Sequence, residues 1–190
     1  MSKQSNNLAD INLKIHESLI EDCRKGNGRA QSKLYQQYAR AMFNLACRIM
    51  NSREDAEDIL QETFVDCFRN IGSFRFESTF GAWLKRILVN KCINELKKKK
   101  SDLTFCETLP VDIMEEEDDT EYDTDKIFRG IEMLPDGYRI ILTLYLLEGY
   151  DHSEISQILG ISESTSKSQY SRAKDKLRDF LINKLNYGHS

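Results

Sequence analysis

The stretch Asp151–Leu177, DHSEISQILGISESTSKSQYSRAKDKL, decides how this chain is read. Asp151 and Glu154 stand at capping-box spacing ahead of an apolar run, so a helix starts here. Ile155, Ile158 and Leu159 fall on its inner side. Gly160 permits a left-handed turn residue, Ile161 plugs the turn, and Ser162 caps the next helix. On that second helix Tyr170, Ala173, Leu177 and Phe180 share an inward stripe, while Thr165, Ser168, Gln169, Arg172 and Lys176 gather on the outer side. A plain helical hairpin would also place glycine between amphipathic helices, but it would not need that polar outer face. The pattern is a helix-turn-helix whose second helix carries hydrogen-bonding and cationic side chains suited to a DNA major groove.

Apolar spacing of three and four extends outward from this motif in both directions. It predicts helices near 124–133, 136–148, 151–159 and 163–184, punctuated by Leu134–Pro135, Gly149 and Gly160. Upstream it predicts helices near 14–25, 29–50, 53–70 and 79–100, broken at Gly26 and Gly28 and at Gly72 and Ser73. Strict alternation never persists long enough for a sheet. The expected fold is all-α, with two small helical domains joined by a flexible acidic linker. The expected layout is a tail over 1–13, a first domain over 14–100, the linker over 101–124, a second domain over 125–184 and a tail over 185–190.

The linker dominates the charge balance. Residues 101–125 hold eleven acids and no Lys or Arg, and the rest of the chain, with 27 basic and 20 acidic residues, is about +7. The formal net charge of −4 therefore conceals a mildly basic protein, a pattern associated with nucleic-acid binding. The five cysteines are widely spaced without a C-x-x-C pair, and Cys47, Cys67 and Cys92 fall within apolar patterns as small core residues. The histidines His16, His152 and His189 are scattered. No metal site, phosphate-cradling glycine loop or nucleophile–base motif is legible, so the expectation is a binding protein without a cofactor, and not an enzyme. The opening MSKQSNNLADINLK is polar, and no apolar run approaches membrane-spanning length, which points to the cytoplasm.

Two further stretches carry chemistry. In DAEDILQETFVDCF, residues 55–68, Ala56, Ile59, Leu60, Thr63, Phe64, Cys67 and Phe68 make an inward stripe, with Asp55, Asp58, Glu62 and Asp66 opposite. Such a back is either a solvated face or a match for a basic partner. In SFRFESTFGAWLKRILVNKCINELKKKK, residues 73–100, Phe74, Phe76 and Phe80 interleave with Arg75 ahead of a basic helix. Asn90, Lys91, Asn94 and Lys98 share one side of it. Aromatic rings beside such a helix can hold an unstacked base; equally, they can close a small core.

Taken together and in this order, DAEDILQETFVDCFRNIGSFRFESTFGAWLKRILVNKCINEL and LPDGYRIILTLYLLEGYDHSEISQILGISESTSKSQYSRAKDKLR resemble the extracytoplasmic-function (ECF) sigma factors of bacterial RNA polymerase. The resemblance covers about 17 to 182. It implies that the acidic helix docks on the β′ clamp helices of core polymerase through Asp55, Asp58, Leu60, Gln61 and Glu62. It assigns capture and melting of the minus-ten element to Phe74, Phe76, Phe80, Arg86, Asn90, Lys91 and Asn94. It assigns reading of the minus-thirty-five element to Thr165, Lys167, Ser168, Gln169, Arg172 and Lys176. Core polymerase (clamp helices and β flap) and promoter DNA are the implied partners, with an anti-sigma factor as a further candidate and no insertion into a membrane. The linker would thread the polymerase cleft. Two departures stand out: Ser166 points inward where the family usually has an aliphatic residue, and Lys167 stands where Arg is commoner. The rival readings are a helix-turn-helix regulator acting without polymerase, a helical nuclease, and an adaptor that binds polymerase without starting transcription.

Overall fold

A computed structural model describes residues 16–99 and 124–187, all of it helices and turns, with no strand among the described residues. The linker up to residue 123, the N-terminal tail and Cys106 lie outside the described residues. A first helix, α1, spans 16–24 and ends at Gly26, whose φ of +78° turns the chain. Asn27 then caps α2 (Gly28–Met50), its Oδ1 accepting from the amides of Arg29 and Ala30 at 3.0 and 3.2 Å. Ser52 caps α3 (Arg53–Asn70) by accepting from the Asp55 amide, and Glu54 and Asp55 lie in the first turn, where the helix dipole favours anions. A 3₁₀ turn (Ile71–Ser73) leads through a loop to α4 (Phe80–Lys99), whose first turn is held by Thr79 Oγ1.

These helices bury the stripe that their spacing requires. Ala56, Ile59, Phe64 and Cys67 of α3 and Leu84, Leu88 and Cys92 of α4 are buried, as are Leu34 and Leu45 of α2. Tyr35 packs on Phe64 with ring centroids 4.7 Å apart, and Tyr38 packs on Phe80 at 5.3 Å. Burial pushes the Cys67 thiol up to about 12, aided by Cys23, so both behave as apolar core atoms.

The C-terminal part begins with α5 (Thr124–Glu132) and, after Pro135, α6 (Asp136–Leu142). The next turn, Thr143–Leu147, widens to π geometry, with the Glu148 amide donating to the Thr143 carbonyl at 3.1 Å. Arg139, only 2% exposed, braces the α5–α6 turn from inside by donating to the Leu134 carbonyl and to Asp136 Oδ1. Beyond Gly149 follow α7 (His152–Leu159) and α8 (Glu163–Tyr187). Ile131, Leu134, Leu142, Ala173, Leu177 and Leu181 form one core cluster, with Tyr138 and Tyr170 packed against it.

The described fold divides into two compact units, one reaching to Cys47 and resuming over Ser52–Lys91, the other comprising Arg48–Asn51 and the described residues from Cys92. The packing boundary thus falls within α2 and α4, whereas the composition changes only at 100/101. Composition marks where helical sequence stops; packing marks where side chains change neighbours. The last helix also runs three residues past the expected end at 184. Among the described residues no helix is long and apolar enough to cross a membrane.

Candidate nucleic-acid interface

The back of α3 presents Asp58, Gln61 and Glu62 to solvent, at the one-turn spacing that puts them on one face. Val65, 47% exposed, lies one turn further along the same face, an apolar side chain that the acidic pattern concealed. Asp55 is half-buried beside the cap. Leu60 corrects the expectation: at 7% exposure it belongs to the core, because it sits in the inward stripe between Ile59 and Thr63.

Between α3 and α4 the aromatic residues separate into two kinds. Phe74 and Phe80 are 3% and 2% exposed, in T-shaped contact at 5.7 Å, and both pack on Trp83 at 5.4 and 5.7 Å. As direct contacts to a base they are corrected too: each ring is surrounded by other rings and closes the core. Phe76 is different. It is 40% exposed, lies 4.8 Å from Phe74, and has a left-handed backbone with φ of +59°.

On α4, Arg86, Asn90 and Asn94 stand four residues apart and are all exposed, forming one polar stripe. Lys91 is turned away from solvent, its Nζ 2.7 Å from Asp66 Oδ2 and 3.2 Å from Glu62 Oε2. Burial alone would lower this ammonium's pKa; the hydrogen bonds to Asp66 and Glu62 outweigh it and hold Lys91 more firmly protonated.

The helix-turn-helix forms as its spacing requires. Asp151 and Glu154 close a reciprocal capping box, with bonds of 2.8 and 2.9 Å. Gly160 takes φ +71°, and Ser162 Oγ accepts from the Thr165 amide at 3.0 Å. Ser166, fully buried, bonds His152 Nδ1 at 2.9 Å, and the imidazole stacks on Tyr145 with ring centroids 4.6 Å apart. The inward-pointing hydroxyl thus has a polar partner across the motif. Burial, followed by the Lys167 charge, lowers the His152 pKa. On α8, Lys167 and Lys176 are exposed, and Ser168 and Arg172 half-buried. Lys167 makes a surface pair with Glu163 at 2.7 Å. Thr165 and Gln169, expected on the open face, are 6% and 3% exposed. Thr165 turns its hydroxyl back to Ser162 at 2.7 Å, and Gln169 is engaged as well, so neither is available as a base contact in this state. Among the described residues no three His, Cys, Asp or Glu side chains are grouped to hold a metal ion.

Residues 34–101 match the family model for sigma-70 region 2, and residues 124–177 match that for sigma-70 region 4. The chain is 31% identical over 165 residues to the ECF RNA polymerase sigma factor SigM of Mycobacterium tuberculosis, covering 86% of this chain and 82% of the relative. This chain belongs to the ECF sigma factors. It is 30% identical to SigW of Bacillus subtilis, with 84% and 92% of the two chains covered. Its fold is similar to that of the sigma factor RpoE from Bartonella quintana, solved in complex with the anti-sigma factor NepR. There the TM-score is 0.54 at 24% identity, covering 80% of this chain and 96% of that one. This sigma factor is thus an alternative transcription initiation factor, with RNA polymerase and promoter DNA as its partners. Most of α2, with α3 and α4, lies in the region 2 match, and α5 to α7 with the first part of α8 lie in the region 4 match, so the acidic face and the aromatic loop belong to one region and the helix-turn-helix to the other.

Proposed function

We propose that this sigma factor divides its work among three surfaces. The α3 face of Asp58, Gln61, Glu62 and Val65, flanked by Asp55, docks on basic and apolar side chains of the core polymerase clamp helices. Acidic charge speeds and orients that encounter, while Val65 adds buried apolar area. The α4 stripe of Arg86, Asn90 and Asn94, with Phe76 before it, engages the minus-ten element. Arginine neutralises phosphate, asparagine pairs with base edges, and an exposed ring receives an unstacked base. Melting then needs no nucleotide hydrolysis, because base capture offsets an unpairing cost of a few kcal/mol. Lys167, Ser168, Arg172 and Lys176 of α8 read the minus-thirty-five element; Lys167 brings charge without the planar fork of arginine. The protein performs no chemistry of its own and acts in the cytoplasm. A soluble anti-sigma domain covering these faces would hold it inactive.

The observation that carries this reading is the exposed polar stripe on α4 together with the exposed Lys167 and Lys176 on α8, lying in segments that match the two sigma regions in chain order. Run-off transcription tests it: purified protein, sigma-free core polymerase and a fragmented genomic library are combined and new starts are mapped. Discrete starts sharing two upstream elements are expected. Core binding without starts would identify an adaptor, and DNA binding without core binding a free-standing regulator. Within the positive outcome, Asp58→Lys with Glu62→Lys abolishes core binding, Asn90→Ala impairs opening, and Arg172→Ala weakens promoter affinity at fixed salt.

A further inference from the structure

Arg24 lies on α1 and is none of the site residues that the sequence singled out. Its Nε donates to the Ile71 carbonyl at 3.3 Å, and its Nη2 donates to the carbonyl of Phe74. Its Nη1 is held by Glu21 Oε1, one turn earlier, at 2.5 Å. The same guanidinium stands 5.1 Å from the centre of the Phe76 ring. One planar group therefore grips the segment from Ile71 to Phe76 at three points, and a carboxylate steadies it from behind.

The gripped segment needs such a hold. Phe76 has φ of +59°, a conformation a phenylalanine keeps only when its surroundings impose it. The chain thereby turns Phe74 into the core, at 3% exposure, and Phe76 outward, at 40%. The Phe76 ring lies between Phe74, 4.8 Å away, and the Arg24 cation, and the backbone before it is pinned, so the rest of its surface stays presented.

We infer that Arg24 is a positioning residue for base capture: it fixes the backbone over 71–76 so that Phe76 presents its ring to an unstacked base of the melted promoter strand. The inference rests on the sigma reading and names the ligand of that loop. The two carbonyl bonds and the ring contact require a planar, multiply donating cation. Lysine at position 24 would keep the charge and lose the fork.

The chain's single tryptophan reports on this directly, because Trp83 packs on Phe74. The experiment compares wild type, Arg24→Ala and Arg24→Lys as full chains. Trp83 emission and acrylamide quenching are read on the protein alone, with circular dichroism as the check on folding. Open-complex formation with core polymerase is read by permanganate reactivity on a promoter recovered from the run-off library. Arg24→Ala should expose Trp83 to quencher at unchanged helical signal. It should also reduce open complexes on the order of tenfold, the scale of one charged hydrogen bond, while core affinity stays that of wild type. Arg24→Lys should fall between. Unchanged Trp83 quenching in both variants overturns the brace. Altered quenching with undiminished open complexes overturns the positioning role. If wild type itself starts no transcripts, the sigma reading fails and takes the base as ligand with it, whereas the Trp83 signal still decides the brace.

Discussion

Ser166 Oγ and His152 Nδ1 lie 2.9 Å apart, joining the two helices of the helix-turn-helix from the inside. Ser166 is fully buried, so its hydroxyl has lost water and relies on the imidazole. Ser166→Ala should therefore cost about 1–2 kcal/mol, since the histidine nitrogen loses its partner. Urea unfolding followed by circular dichroism measures this. A midpoint equal to wild type would mean that the bond contributes nothing.

The same histidine makes stability depend on pH. Burial, followed by the Lys167 charge, pulls its pKa below the ordinary 6.5, while Glu163 and Asp151 oppose this and Tyr145 and Tyr170 face the ring. The unfolded chain thus binds this proton more tightly than the folded one. The contribution is complete above 6.5 and is lost as pH falls below it, levelling off below the folded-state value. His16, also lowered by burial, adds a parallel loss. Urea midpoints taken from above 6.5 down to about 5 should fall more steeply for wild type than for His152→Asn. Parallel curves would exclude this histidine as a source.

Phe80 and Phe76 lie four residues apart and should respond oppositely to truncation. Phe80 is enclosed by Phe74, Trp83 and Tyr38, so Phe80→Ala should destabilise by about 3–5 kcal/mol. Phe76→Ala removes an exposed ring and should change stability by no more than about 1 kcal/mol. Paired thermal melts decide it, and similar losses for both would reject the division into core ring and presented ring.

Lys91 bridges α4 to Asp66 and Glu62 of α3, with carboxylate side chains that are 40% and 65% exposed. Solvent screening keeps such a bond weak. A double-mutant cycle of Lys91→Met and Asp66→Asn should give a coupling of about 0.5–1 kcal/mol. The coupling should shrink as salt is added. Zero coupling at low salt would show that the pair does not hold the helices together.

At Gly130 on α5, an added Cβ would come within 2.6 Å of Leu177 Cδ1 on α8. A β-branched side chain must displace Leu177 and meets Leu181 and Phe180 at 3.6 Å, so Gly130→Val should lower stability by about 1–3 kcal/mol, although valine is a better helix former than glycine. An unchanged melting temperature would mean that the α5–α8 seam has slack.

Helix positions were legible because helical hydrogen bonds and caps are local. The spacing over 53–70 names the helix that forms, and Asp151, Glu154, Gly160 and Ser162 do what their positions require. The helical wheel also puts Ser166 inward, where it is found. Exposure within the candidate sites was less legible. Leu60, Phe74, Phe80, Thr165 and Gln169 carry the side-chain types of a binding site and are nonetheless buried. Periodicity gives the face of a helix, and it cannot say whether a ring in a short loop turns in or out.

Local residue patterns were enough for the all-helical fold, the turn that separates the two helices of the DNA-reading motif, and the family, since each depends on residues within a few turns of one another. Which side chains face solvent and which are already engaged emerges from packing between helices. Lys91 is claimed by Glu62, 29 positions away, and the Phe74–Phe76 loop is set by Arg24, 50 positions from Phe74. Such pairings depend on where packing brings distant helices together, and no local pattern of charge or hydrophobicity records them.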